Sequence, residues 1–182
     1  MRSNYGMSIA YGIGAAHKGP SHNLCDLYFV LMGYPFEEIG APTTTLDQYA
    51  NDIEMAKTCS IMIDYRALYS SLIICSFCNP LPSQVAAIIE HTTGIKFGLD
   101  EIKLYGERIL TMKRLFNLKM GITPEADKIP QILLRPQSDG GSAGRTPNFE
   151  LLRKLFYEYK EWNLMTGKPS KSKLHQLELS FE

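Results

Sequence analysis

Residues 99–118 read LDEIKLYGERILTMKRLFNL, and this stretch decides the fold class. Ile102, Tyr105, Ile109, Met112 and Phe116 recur in steps of three and four, the spacing that lines up side chains on one helix face. Leu115 and Leu118 widen the stripe, and Gly121 closes the segment. The pattern predicts a long helix with its core on that side. Glu107-Arg108 and Lys113-Arg114 are then the solvated or ion-paired flank. A buried Phe116 would be worth about 3–5 kcal/mol against alanine.

The same period extends outward in both directions. Downstream, Thr146-Pro147 predicts a helix start with proline in the first turn. Leu152, Leu155, Phe156 and Tyr159 form its inner face, and a short last helix covers residues 170–177. Upstream, residues 83–91 read as a helix with Gly94 just past its end. Before it lies a long apolar segment over 61–77, stopped by Asn79-Pro80 and preceded by a break near 58–60. Thr44-Thr45-Leu46-Asp47 has capping-box character and predicts a helix carrying Leu46, Tyr49, Ala50, Ile53 and Ala56. Residues 23–32 predict another, ended by Gly33-Tyr34-Pro35. The small residues of 6–16 predict a segment buried against something large. Residues 124–146 form a long irregular loop, and 129–134 carry the one tempting strand signal. The expectation is an all-α fold: a single helical domain over residues 1–182.

Composition narrows the function classes. The chain has 182 residues, 45% of them hydrophobic and 21% charged, with 19 basic and 19 acidic side chains. That balance gives no support to a nucleic-acid or anionic-membrane partner, which would require a basic excess. No apolar run approaches the roughly 20 residues that cross a bilayer, and the N-terminus lacks a signal-peptide core. The expected location is cytoplasmic. Four cysteines in a chain of this size are too sparse for a disulfide scaffold; reduced thiols or metal ligands fit better.

Cys75-Ser76-Phe77-Cys78 is a C-x-x-C, a spacing that lets two thiolates meet one metal or close one disulfide. The other reading is two small apolar cysteines at the end of a buried helix. His17 and His22 flank a Gly-Pro turn, where imidazole could act as base, acid or ligand or simply as a polar loop residue. His91 and His175 sit near predicted helix C-termini and suit the dipole there. The stretch Gly140-Gly141-Ser142-Ala143-Gly144 lacks the Lys-Ser/Thr ending of a phosphate loop and reads as flexible.

Several segments taken in order carry a resemblance. Gly106-Glu107-Arg108-Ile109 followed by Arg114-Leu115-Phe116-Asn117 resembles the GERI…RLFN helix of the aldehyde ferredoxin oxidoreductase family. Thr93-Gly94 with Leu99-Asp100-Glu101 is similar to the run before that helix. Ile129-Pro130 through Gly144-Arg145 is similar to the segment after it. The end of the chain, from Leu151 to Lys160 with Trp162, Gly167-Lys168-Pro169 and Lys173-Leu174, resembles the family's ending. Upstream, Ala10-Tyr11-Gly12 through His22, then Gly33-Tyr34-Pro35, then Asp64-Tyr65-Arg66-Ala67 through Cys75-Ser76-Phe77 match in the same order.

The resemblance implies the C-terminal helical domain of a larger tungsten or molybdenum bis-pterin enzyme. Such an enzyme oxidises aldehydes to carboxylates and passes the electrons through a [4Fe–4S] cluster to ferredoxin. Three cluster ligands come from an upstream Cys-x-x-Cys-x-x-x-Cys, and the fourth is the cysteine of the family's DSLGLC, here Cys75. The family histidine near the metal maps to His22. The pterin-contacting aspartate of that motif is Ser70 here and its glycine is Ile73; a hydroxyl replaces a carboxylate that accepts two donors. Cys78 is a thiol beyond the common pattern, a weaker candidate ligand. The N-terminal pterin-binding domain is expected to be a separate part and the chief partner, alongside ferredoxin and a second copy of the chain. Alone, the chain is expected to bind no cofactor and to be inactive. Two further readings are a non-catalytic helical partner derived from the family and a C-x-x-C redox protein.

Overall fold

The computed structural model describes residues 4–13, 21–42 and 46–179. Seven α-helices follow in chain order: α1 (Gly6–Gly12), α2 (Leu27–Leu31), α3 (Ile53–Ser71), α4 (Pro82–Thr93), α5 (Leu99–Lys119), α6 (Phe149–Tyr159) and α7 (Lys171–Gln176). Short 3₁₀ turns join them, and no strand occurs among the described residues. The fold is all-α. No helix among those residues is long and apolar enough to cross a membrane.

α3 is the axis of the molecule. It packs most extensively on α5, then on α6 and α1. Side chains on every side of it are buried, from Met55, Thr58 and Cys59 to Tyr65, Arg66 and Tyr69, as expected of a helix enclosed by others. The break predicted near 58–60 is absent. Thr58, Cys59 and Ser60 are small because α1 crosses there. A Cβ on Gly6 would lie 2.5 Å from the Met55 sulfur and 2.6 Å from that of Cys59. The Cys59 thiol donates to the Gly6 carbonyl at 3.2 Å. At the other end of α1, a Cβ on Gly12 would meet the Phe149 ring at 2.0 Å. The small-residue stretch is thus buried where it is described; residues 14–16 and His17 lie outside the described residues.

Several boundaries move. Thr44 and Thr45 also lie outside the described residues, and α3 starts later than expected, where the Asp52 carboxylate accepts from the Met55 amide at 2.9 Å. It ends at Ser71 rather than near Phe77. The helix expected over 23–32 is split into a 3₁₀ turn (His22–Leu24) and α2, because Asp26 between them is left-handed (φ 48°). Residues 129–134 are not a strand; Gln131–Leu134 is a 3₁₀ turn. Asn148, rather than Thr146, caps α6, accepting from the Leu151 amide at 3.2 Å. α4, by contrast, ends as read, with Gly94 at φ 71°.

The largest correction concerns α5. Its length agrees with the sequence pattern, but its buried side is Ile102, Gly106, Leu110, Thr111, Arg114 and Leu115. Met112 and Phe116 face outward, Phe116 with 64% of its surface exposed, and Tyr105 is exposed too. The reason is Gly106: a Cβ there would sit 2.5 Å from the Asp64 carbonyl oxygen. α5 turns its bare position, rather than its richest apolar stripe, against α3. Tyr159 of α6 is likewise exposed, and Tyr157 is buried in its place.

Arg114, expected on a solvated or ion-paired flank, is ion-paired and completely buried. It donates to the Asp127 carboxylate at 2.7 Å, the Tyr157 hydroxyl at 2.6 Å and the Gly167 carbonyl at 3.1 Å. Its guanidinium also lies over the Trp162 ring, 4.9 Å from the centroid. Tyr157 in turn donates to Asp127. A Cβ on Gly167 would stand 2.0 Å from Arg114 Nη2, so that glycine makes room for the guanidinium. A second buried cluster joins α3, α5 and the chain end. Lys160 pairs with Asp64 at 2.8 Å and with Glu107 at 3.1 Å, and Lys173 pairs with Glu107 at 3.4 Å.

Candidate functional site around the Cys75–Cys78 turn

The site is built where α3 stops. Ser70 is exposed in its last turn, and its carbonyl accepts from the Ile73 amide at 3.2 Å. Ile73 then turns the chain in the left-handed region (φ 59°). This conformation is unusual for a β-branched residue, and no packing explains it, since 93% of Ile73 is exposed. Cys75 leads the 3₁₀ turn Ser76–Cys78, closed by the Cys78 amide donating to the Cys75 carbonyl at 3.0 Å. Both cysteines are exposed and unbridged, and Phe77 between them is 85% exposed. Asn79, again left-handed (φ 40°), ends the turn.

Arg66 holds this turn from beneath. It is buried on α3, with its guanidinium against the rings of Phe29, Phe36, Tyr65 and Tyr69, the last at 4.9 Å. It donates to the Asn79 side-chain oxygen at 2.9 Å and pairs with Asp26 at 3.0 Å. The Asp26 amide in turn donates to the His22 carbonyl at 3.1 Å. One guanidinium therefore ties the turn bearing His22 to the turn bearing Cys75 and Cys78. Burial raises the Asp26 carboxyl above its usual range, against the pull of Arg66 and His22. Burial raises the Tyr69 hydroxyl as well; Arg66 pulls it down, and the nearby Cys78 adds to the rise.

Ser70, Cys75 and Cys78 thus share one exposed segment, and His22, itself exposed, is linked to it through Asp26 and Arg66. Cys25 and Cys59 belong to the core. Arg66, Asp26 and Asn79 were not singled out as functional in the sequence. The signal for Arg66 was present: a lone cation inside an apolar, aromatic run has to find a buried partner.

A cleft of about 340 Å³ opens between α3 and α5, lined by Ile61, Asp64, Ile102, Glu107 and Tyr159 among others. Burial raises Asp64 to about 6, Lys160 opposing and Glu107 adding to the rise. Its two carboxylates are already paired with Lys160, so this cleft is an internal ion-pair cluster with an open mouth.

The profile of the family described as aldehyde ferredoxin oxidoreductase, domains 2 & 3, matches residues 1–179. The chain belongs to this family. It is 26% identical over 151 residues to the tungsten-containing aldehyde ferredoxin oxidoreductase of Pyrococcus furiosus, covering 81% of this chain and 24% of that protein. It is 26% identical over 153 residues to that of Pyrococcus abyssi, covering 82% and 24%. The chain spans about a quarter of the length of these relatives.

Ile73, which the sequence resemblance pairs with a glycine of the aldehyde ferredoxin oxidoreductase pattern, has a backbone that glycine adopts freely. The cofactor fit is divided. A cubane takes four thiolates, and no group of three or more His, Cys, Asp or Glu suited to a metal occurs among the described residues. Cys75, exposed on a fixed turn, fits as one ligand completed from elsewhere. The exposed Ser70 hydroxyl does not fit the two-donor contact that the resemblance expects of an aspartate at this position.

Proposed function

We propose that this chain is the C-terminal helical part of an aldehyde ferredoxin oxidoreductase-like enzyme, and that Cys75 supplies one ligand to a [4Fe–4S] cluster. The whole enzyme would oxidise an aldehyde to a carboxylate and pass the electrons to ferredoxin. When bound, the tungsten or molybdenum bis-pterin and the cluster supply the oxidation and the electron path. The residues of this chain supply position. The Asn79–Arg66–Asp26 link fixes the Cys75 thiol relative to the His22 turn, and His22, at the surface, holds or moves a proton near the substrate. The exposed Ile73, Cys75 and Phe77 form the face that meets the pterin-binding half. The observation that carries this reading is the exposed Cys75 on a turn fixed by a buried guanidinium, within a chain that matches the family over nearly its whole length.

The test is the reduced cluster's paramagnetic-resonance signal, with iron content, in an enzyme assembled from this chain and a pterin-binding half. Cys75→Ser is expected to lose the signal, because serine is far harder to deprotonate and its alkoxide is a poorer iron ligand. Cys78→Ser is expected to retain it. The reverse result would assign the ligand to Cys78; retention in both would remove the ligand role from this turn. The Ser70 hydroxyl favours a second reading, a non-catalytic helical partner of the same shape. Assembly that restores no aldehyde oxidation while both halves still associate would support it.

A further inference from the structure

The function proposed above uses Cys75 and leaves Cys78 without a task. The two residues stand at the ends of one turn closed by a 3.0 Å hydrogen bond from the Cys78 amide to the Cys75 carbonyl. Such a closure keeps Cα atoms three residues apart within about 7 Å, and disulfides bridge Cα separations of about 4.4–6.8 Å. The turn is anchored at one end. Ile73 precedes it and Asn79 follows it, both left-handed, and Asn79 is anchored by the buried Arg66 at 2.9 Å. Both cysteines are exposed, whereas Cys25 and Cys59 are buried. The fold therefore presents one exposed pair of cysteines whose backbone spacing overlaps the range that a disulfide bridges.

We propose that Cys75 and Cys78 are a dithiol–disulfide couple, a modification site that closes on reaction with a low-molecular-weight disulfide. The sulfur of one cysteine attacks the sulfur–sulfur bond of the oxidant. That bond breaks, a mixed disulfide forms, and one small thiol leaves. The second cysteine then attacks the protein sulfur of the mixed disulfide, forms the Cys75–Cys78 bond and expels the second small thiol. Two protein thiols are oxidised, and the oxidant is reduced to two thiols carrying the two protons. In the closed form Cys75 has no thiolate to offer a metal. That consequence rests on the ligand role proposed above; the couple itself does not.

The test uses the 182-residue chain with glutathione disulfide, read by intact mass and by mapping of alkylated peptides. The expected result is loss of the Cys75 and Cys78 thiols together, one disulfide within the chain, no retained glutathione, and full reversal by dithiothreitol. Cys78→Ser, at an exposed position and checked for folding by circular dichroism, should instead keep glutathione on Cys75. Glutathione retained on both cysteines of the parent chain, disulfide-linked dimers, or thiols that stay unreacted would each overturn the proposal. No iron enters this assay, so its outcome is independent of whether Cys75 ligates a cluster.

Discussion

Two buried arginines organise two parts of this molecule in different ways. Arg114 on α5 gathers Asp127, Tyr157, Trp162 and Gly167, and the side chains among them are buried. That part of the chain is closed on itself. Arg66 on α3 is enclosed by aromatic rings just as tightly, yet what it holds is a turn whose outer surface, Ile73, Cys75, Phe77 and Cys78, is open. The same chemistry, a guanidinium desolvated by rings and paired with a carboxylate, stabilises a core in one place and presents a surface in the other. Burial of the cation is therefore no guide to whether its neighbourhood is structural or functional. The exposure of the groups it positions is.

The largest effect is expected in the closed region. Arg114→Met leaves Asp127 and Tyr157 buried without their cation and should lower stability by about 3–5 kcal/mol, read from a urea midpoint. A midpoint close to the parent's would mean that the cluster relaxes into solvent and that the contrast with Arg66 is false. Gly106→Ala comes next. Its Cβ would meet a backbone carbonyl that cannot rotate aside, and overpacking of this kind costs about 1–3 kcal/mol. Melting temperature would report it, and an unchanged value would show that α3 and α5 can separate freely.

The cluster of Asp64 with Lys160 and Glu107 sharpens the comparison through pH. Asp64 is raised to about 6 in the folded chain. The folded state thus holds a proton there that the unfolded chain has already released. This group's contribution is fully present below the ordinary carboxylate range and is lost as pH rises through about 6. Asp64→Asn should remove that component, on the order of 3 kcal/mol for a rise of this size. Denaturant midpoints of both proteins across this pH range would show it as a shallower decline in the variant; parallel curves would contradict it.

In the open region the expected changes are smaller. Ile73→Gly relieves a left-handed β-branched residue and loses no packing, so a gain of about 1 kcal/mol is expected. A loss of stability would mean that the Ile73 side chain makes contacts its exposure does not suggest. Phe116→Ala should change stability by less than about 0.5 kcal/mol, as for other exposed positions. The stripe read from the sequence calls for about 3–5 kcal/mol instead, so calorimetry on this one variant separates the two descriptions of α5.

Much of the fold was legible before any tertiary structure. The existence of α4, α5, α6 and α7 follows from local signals: periodic apolar residues, Gly94 after α4, and Ser170 before α7. The sequence predicts α3 as two pieces because an enclosed helix has no polar face to mark its period, and because Thr58-Cys59-Ser60 resembles a break when the crossing of α1 is unknown. At the candidate site, motif and resemblance single out Cys75, Cys78, Ser70 and His22 one by one, and nothing in the sequence links them. Arg66, Asp26 and Asn79 come from three separate segments, and no local pattern announces that they meet.

The amino-acid sequence by itself determined the all-α class, the order of the main helices and the family, because these depend on short-range periodicity and on motifs that keep their order along the chain. The tertiary structure alone decided which face of α5 is buried, that Arg114 lies inside, and that the Cys75–Cys78 turn is fixed yet exposed. Those outcomes depend on where two helices come close enough to exclude a side chain, as Gly106 does against the Asp64 carbonyl. Close approach of this kind is a property of pairs of segments, and a single segment carries no record of it.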